Sequence, residues 1–263
     1  MNDQHSKIGS IEIIPLPAFR DNYLWLLRRG QLAAVVDPGD AAVVEDGLAA
    51  QGLDLCAILL THHHADHVGG VAELIASRDI PVFGPATADI EGVNNPVAEG
   101  DEVNLDRLGI RFRVLEVPGH TASHIAYLAP GLLFPGDTLF SAGCGRLLGG
   151  TAAQLHASLR RLAELPGDTA VYCTHEYTLA NLAFARVADP GNPERDEWLV
   201  ECEARRDAGQ PTLPTTIERE RRVNPFLRTG EPAVMGVIAD RTGWRPRDSL
   251  ECFTALRAWK DVF

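Results

Sequence analysis

Short apolar blocks broken by turn residues fill the first two thirds of the chain, and a helical period takes over in the last third. Ile11 to Pro15, Tyr23 to Leu27 and Leu32 to Val36 read as strands, the second and third joined by a turn through Arg29-Gly30. Asp37-Pro38-Gly39 breaks the pattern, and residues 41–51 predict a helix capped by Asp40. The apolar block 57–60 predicts a strand that runs into Thr-His-His-His-Ala-Asp-His-Val-Gly-Gly (61–70), and residues 71–76 are amphipathic, so 61–70 is a strand-to-helix turn. Residues 79–84 return to a strand. Residues 94–108 read as an acidic, loop-rich passage with a turn at Glu99-Gly100-Asp101.

Residues 110–117 alternate Arg111 and Arg113 with Phe112 and Val114, the pattern of a half-buried strand, and end in Pro118-Gly119-His120-Thr121. Residues 125–128 and 132–134 form two more short strands, the latter ending in Pro135-Gly136-Asp137-Thr138. Thr151 caps a helix that reaches Leu162, and a buried strand over 170–173 ends in Thr174-His175-Glu176-Tyr177. Beyond it, helices are predicted over 179–187, 193–208, 217–227 and 250–259, with a Pro/Thr-rich connector at 210–216. Strands therefore give way to an appended helical domain.

Composition narrows the class without deciding it. The 263 residues carry a formal charge of −12 and 45% hydrophobic content, which fits a globular enzyme-sized chain. The acidic balance argues against a nucleic-acid surface, which needs clustered Lys and Arg. No apolar run approaches membrane length, and residues 1–7 lack the charged and apolar regions of a secretory leader. Five widely spaced cysteines with no Cys-x-x-Cys pair point to a reduced, cytoplasmic setting. A monomer is expected.

The chemistry concentrates at strand ends. His62, His64, Asp66 and His67 place four metal-ligand side chains within six residues, beside a Gly pair. A lone histidine is more often a packing or hydrogen-bonding residue, but this density points to metal, and the ligand count exceeds what one ion takes. His63 faces the other way along the strand and is read as structural. His120, Asp137 and His175 each follow an apolar strand, and singly each has a bland reading as a loop, cap or packing residue. Together they complete a ligand set for two divalent ions sharing a carboxylate. Zinc is the first choice, with iron or manganese as alternatives.

These residues, with Asp21-Asn22-Tyr23, Gly143-Cys144-Gly145-Arg146, His175-Glu176-Tyr177-Thr178 and the ending Lys260-Asp261-Val262-Phe263, resemble the metallo-β-lactamase superfamily and, within it, the glyoxalase II family. The His-x-His-x-Asp-His element marks only the superfamily, whereas the later motifs are more specific. The resemblance implies an α+β fold, a four-layer αββα sandwich of two mixed sheets covered by helices over residues 1–176, followed by a helical substrate-binding domain over 177–263. It implies His62, His64 and His120 on one metal, Asp66, His67 and His175 on the other, and Asp137 as the bridge, so that Asp66 and Asp137 are the carboxylates of the catalytic centre. It implies that Arg146, Tyr177, Arg257 and Lys260 hold glutathione. Leu148 departs from the pattern, standing where relatives often carry an aromatic residue.

The implied reaction is hydrolysis of a 2-hydroxyacyl glutathione thioester such as S-D-lactoylglutathione to glutathione and the hydroxy acid, the second step of methylglyoxal detoxification. Two ions lower the pKa of a bridging water from about 15.7 towards about 7, supplying hydroxide as the nucleophile. A thiol leaves readily at its ordinary pKa of about 8.5, so no separate acid is required. Arg257 and Lys260 lie three apart, on one face of a predicted helix. The same cations would suit a solvated helix C-terminus. Cys144 and Cys173 are read as packing residues. The alternatives are a glutathione persulfide dioxygenase using a single iron on the same fold, a lactonase or β-lactamase, and a non-catalytic metal-stabilised scaffold.

Overall fold

The structure is a computed structural model that describes the backbone of Ser6–Ile8 and residues 11–263. The reading of residues 1–7 as free of a leader falls on residues outside those described, the backbone of Ser6 and Lys7 apart. The chain divides into two compact units, one running up to Glu116 and including Ser123–Gly136, the other made of Val117–Ala122 and Asp137–Phe263. Among the described residues no helix is long and apolar enough to cross a membrane.

The first unit holds β1 (Ser6–Ile8), β2 (Ile11–Ala18), β3 (Asn22–Arg29), β4 (Leu32–Val36), α1 (Ala41–Gln51), β5 (Asp54–Leu59), α2 (Ala65–Val68), α3 (Val71–Ile75), β6 (Val82–Pro85), β7 (Asn95–Val97), β8 (Glu102–Leu105), β9 (Ile110–Glu116), β10 (Ile125–Ala129) and β11 (Leu132–Phe134). Strands β1 to β7 form one sheet in chain order, antiparallel from β1 to β4 and parallel from β4 to β7. Its central strands β3, β4 and β5 are buried on both faces. Leu24, Leu26, Val35, Ile58 and Leu60 pack with Val44 and Leu48 of α1 and with Leu74 of α3, while the alternate residues Trp25, Leu27, Val36, Ala57 and Leu59 are also buried. Strands β8 to β11 form a second, antiparallel set that buries Phe112, Val114, Tyr127 and Phe134. The Tyr127 hydroxyl donates to the carbonyl of Leu60, just beyond β5 (3.0 Å), tying this set to the first sheet beside the histidine-rich turn.

Local signals set the clearest boundaries. Asp40 accepts from the N–H groups of Ala42 and Val43, and Gly52 ends α1 at φ +62. The acidic passage 94–108 contains β7 and β8, which the sequence pattern does not announce. Their exposed positions are Pro96, Glu102 and Asn104, and Asp101 closes the intervening turn by accepting the Ala98 N–H.

The second unit holds β12 (Leu139–Phe140), β13 (Gly143–Cys144), α4 (Ala152–Ala163), β14 (Ala170–Val171), α5 (Thr178–Ala188), α6 (Pro193–Asp207), β15 (Thr215–Thr216), α7 (Ile217–Val223), α8 (Pro232–Thr242) and α9 (Ser249–Asp261). Thr151 and Gln154 form a reciprocal capping box at the start of α4. Helix α8 lies outside the expected set because it carries Gly236 and buries only Val234 and Ile238, which leaves little helical period to read. The tight β12–β13 hairpin was likewise not expected. The strand expected over 170–173 is limited to its first two residues.

Candidate metal centre

In the first unit the adjacent parallel strands β4 and β5 both end at the candidate site. Strand β5 delivers Thr61 and His62, and the turn and the start of α2 bring His64, Asp66 and His67 round. His62 and His67 are fully buried, with ring centroids 4.0 Å apart, and His62 Nε2 lies 3.0 Å from His64 Nδ1. His67 Nε2 lies 3.6 Å from Asp66 Oδ2. His63 is exposed.

A second layer holds these side chains. Asp37, at φ +52 beyond β4, accepts from the Thr61 N–H (2.8 Å) and hydroxyl (2.8 Å) and sets its other contact on His67 Nδ1 (3.0 Å). Asn22 at the start of β3 donates to Asp66 Oδ2 (3.0 Å), and His124 stacks on His62 at 4.5 Å. Gly39 is needed because a Cβ there would lie 1.9 Å from the Asp66 carbonyl oxygen. Sequence reasoning missed Asp37, Asn22 and His124 as supports. Asp37 gave one usable signal, since it is a carboxylate at a strand end like the ligands themselves.

In the second unit Asp137 Oδ2 lies 3.6 Å from His120 Nε2 and 3.4 Å from His175 Nε2. His120 Nδ1 is satisfied by the carbonyl of Arg146 at 2.8 Å, so Nε2 is the ring atom turned to the carboxylate. Phe140 packs edge-on against both His175 (5.8 Å) and Tyr177 (5.4 Å), and Tyr177 stacks flat on His175 at 4.7 Å.

These spacings fit a metal. Ligand atoms about 2.1 Å from a tetrahedral ion are about 3.4 Å apart, and the His67–Asp66, His120–Asp137 and His175–Asp137 separations of 3.6, 3.6 and 3.4 Å exceed normal hydrogen-bond lengths. Imidazole nitrogens and carboxylate oxygens make a donor set for a divalent ion, and the described His and Asp side chains include groups able to hold one.

Of the expected anion contacts, Arg146 is largely exposed, and its guanidinium lies 3.8 Å from the Asp261 carboxylate. Arg257 is buried and spends its guanidinium on the Cys144 carbonyl (3.0 Å) and Asp261 (3.0 Å). Lys260 donates to the Ala180 carbonyl at 3.3 Å and lies about equally far from the rings of Phe184 (5.1 Å) and Phe263 (5.4 Å). Burial, then Arg257 and Arg146, hold its pKa below the usual lysine range. Leu148 is 55% exposed, with its N–H on the His120 carbonyl. Burial pushes the Cys144 thiol up to about 11 and Cys173 higher, so neither is a ready thiolate.

Comparison with known proteins places the chain. The family model described as metallo-beta-lactamase superfamily matches residues 19–175, and that for the hydroxyacylglutathione hydrolase C-terminus matches residues 176–263. A hydroxyacylglutathione hydrolase from Cupriavidus taiwanensis is 52% identical, over 96% of this chain and 99% of that protein. The chain belongs to the hydroxyacylglutathione hydrolase family. As a member of the glyoxalase II group it is an enzyme and a hydrolase, on a mixed α/β metallo-β-lactamase fold with a C-terminal helical region. Among solved structures, ETHE1 from Myxococcus xanthus is similar with a TM-score of 0.64 and 26% identity, over 96% of this chain and 98% of that one. A structure named as TTHA1623 in a di-iron-bound form has a TM-score of 0.58 and 30% identity, over 81% of this chain and 100% of that one.

Proposed function

We propose that this hydrolase cleaves S-D-lactoylglutathione and related 2-hydroxyacyl glutathione thioesters to glutathione and the hydroxy acid, using two divalent ions. In this reading His62, His64 and His120 hold one ion, Asp66, His67 and His175 the other, and Asp137 bridges. The assignment rests on the family pattern and on the half-site geometry of each unit. The di-iron-bound relative supports two ions without fixing which metal this chain uses.

When bound, the ions supply a water acidic enough to act as nucleophile near neutral pH and polarise the thioester carbonyl. The chain's own residues do the rest. Asp37 and the Arg146 carbonyl face Nδ1 of His67 and of His120, which would leave Nε2 of each ring for a metal. Asn22 restrains Asp66. Arg146 and Lys260 offer charge to the two glutathione carboxylates, Tyr177 gives a polar aromatic edge, and Arg257 sets the backbone of Cys144 on which that surface is built.

One observation carries the reading. Tyr177 stacks on His175, a proposed metal ligand, and belongs to the same unit as Arg146 and Lys260, so residues proposed for chemistry and for anion anchoring come from one unit. None of the five cysteines is in a disulfide and all are buried, which supports the cytoplasmic assignment. The division into a catalytic domain over 1–176 and a substrate-binding domain over 177–263 is part of the same proposal, as is action as a monomer.

The deciding measurement is loss of thioester absorbance with S-D-lactoylglutathione, beside a chelator-treated sample and the same acyl group on another thiol. Metal-dependent hydrolysis selective for the glutathione carrier is expected. Absence of hydrolysis with metal-loaded protein, together with oxygen uptake on glutathione persulfide, would replace it with the single-iron dioxygenase. Equal rates on both carriers would remove the glutathione-binding roles.

A further inference from the structure

The β12–β13 hairpin touches three proposed metal ligands. Asp137 lies just before it. The Arg146 carbonyl that orients His120 lies just after it, and Phe140 within it packs on His175. The hairpin turns through Ser141 and Ala142, and Ala142 holds φ +53, a left-handed conformation that costs an L residue about 1 kcal/mol or more. Such a residue persists only where its surroundings fix it.

What fixes it is a polar clamp from the helices. The fully buried Glu220 of α7 accepts the Ala142 N–H (2.8 Å), the Thr215 hydroxyl (2.8 Å) and the Asn224 amide (2.9 Å). The same Asn224 amide donates to the carbonyls of Phe140 (3.2 Å) and Gly143 (2.9 Å), so both sides of the turn are held from one helix end. Asn181 of α5 donates to the Ser141 carbonyl at 3.0 Å and presses so closely that a Cβ on Gly143 would lie 2.4 Å from its amide nitrogen. Trp198 of α6 donates to the Ser141 hydroxyl at 3.1 Å. Among the described residues no lysine or arginine pairs with Glu220, and its hydrogen bonds with Ala142, Thr215 and Asn224 come from neutral donors.

A carboxylate buried among neutral donors is an expensive way to stabilise a helix, and a hydrophobic residue would fill the space more cheaply. Its geometry has a different use: Oε2 takes the turn's own Ala142 N–H and the Asn224 amide that also grips the turn, while Oε1 takes the Thr215 hydroxyl. We infer that Glu220, acting with Asn224, is a positioning residue for the metal centre, holding the 139–144 hairpin so that Asp137, His120 and His175 keep their mutual spacing. This rests on the reading of those three as metal ligands. Arg257, itself paired with Asp261, holds the Cys144 end of the hairpin by a separate bond, so the substrate-anchoring side depends less on the clamp.

The test uses the full chain loaded with Zn2+, with three variants: Glu220→Ala, Glu220→Gln and Asn224→Ala. The readouts are Zn2+ affinity by chelator competition, kcat and KM with S-D-lactoylglutathione, and thermal unfolding. Glu220→Ala is expected to weaken the looser Zn2+ site and lower kcat together, each by about 10-fold or more, with KM changed by less than about threefold. Glu220→Gln keeps an oxygen for the Ala142 N–H and a donor for the Thr215 hydroxyl, and is expected to restore most of both. If Glu220→Ala does not fold, Asn224→Ala is expected to give the same joint loss. A folded Glu220→Ala or Asn224→Ala protein with wild-type Zn2+ affinity and kcat would overturn the inference, as would a Glu220→Gln protein no better than Glu220→Ala. Failure of the wild-type chain to bind Zn2+ at all would count against the metal-centre reading instead, which separates the two.

Discussion

A carboxylate behind an imidazole decides which ring nitrogen carries the proton, and Asp37 stands 3.0 Å from Nδ1 of the buried His67 while taking two further hydrogen bonds from Thr61. Replacing Asp37 by Asn keeps the size but puts an amide where the ring needs an acceptor. Outer supports of this kind contribute about 10- to 100-fold in metal affinity, so Asp37→Asn is expected to weaken Zn2+ binding in that range, read by chelator competition; unchanged affinity would remove Asp37 from the site. Lys260 is a different case. Its ammonium is partly desolvated and lies near two other cations, which depresses its pKa, and an arriving carboxylate would relieve that repulsion. Lys260→Ala should therefore raise KM several-fold and leave kcat within about twofold, because an anchor remote from the reacting bond stabilises ground and transition states alike. Steady-state kinetics decide it, and a fall in kcat at constant KM would contradict the anchoring role.

At the scale of elements, α4 shows how a helix positions a loop ligand. Gly119 has φ +149, and a Cβ there would lie 2.4 Å from the Cα of Leu155 in α4, while Ser158 donates to the Pro118 carbonyl at 2.8 Å. Helix and loop are thus in backbone contact one residue from His120. Gly119→Ala combines backbone strain with an overpacked contact, and a loss of about 2–4 kcal/mol is expected from denaturant midpoints; a midpoint equal to wild type would show that the loop yields freely. The boundaries of α1 and α4 were legible because Asp40 and Thr151 act within three residues of themselves. Strands β7 and β8 and the β12–β13 hairpin were not, because each strand is only two to four residues long, and α8 was not because it carries Gly236 and buries only two residues. The same divide runs through the site. Ligand types at strand ends can be read from 61–70 and from Asp137, but the supports Asp37, Asn22 and His124 become visible only once β3, β4 and β5 are neighbours. Arg257 is expected from the family resemblance to hold glutathione, with a solvated helix end as the bland alternative. The structure gives its guanidinium to the Cys144 carbonyl and Asp261, because α9 packs its buried face inward.

For the molecule as a whole, Glu220 links stability to pH in a direction opposite to that of most carboxylates. Burial raises its pKa from 4.5 to about 7, and the hydrogen bonds from Thr215, Asn224 and Ala142 only partly offset this. Below about pH 4.5 the group is protonated in both folded and unfolded chains and makes no difference. Between about 4.5 and 7 the unfolded chain has released its proton while the folded chain retains it, so stability falls as pH rises, and above about 7 the deficit is constant. A shift of this size amounts to about 3 kcal/mol. Zn2+ binding also depends on pH, so wild-type stability alone would confound the two effects. The difference between wild type and Glu220→Gln cancels them. Glutamine cannot ionise and keeps the contacts to the hairpin, so Glu220→Gln is expected to gain on wild type by up to about 3 kcal/mol between pH 4.5 and 7.5, read from urea midpoints at matched Zn2+. Parallel curves would mean that Glu220 ionises in the fold as easily as in water. A diverging pair, with activity retained in Glu220→Gln, would show that the hydrogen bonds and not the charge hold the hairpin, and that the buried charge costs stability at neutral pH.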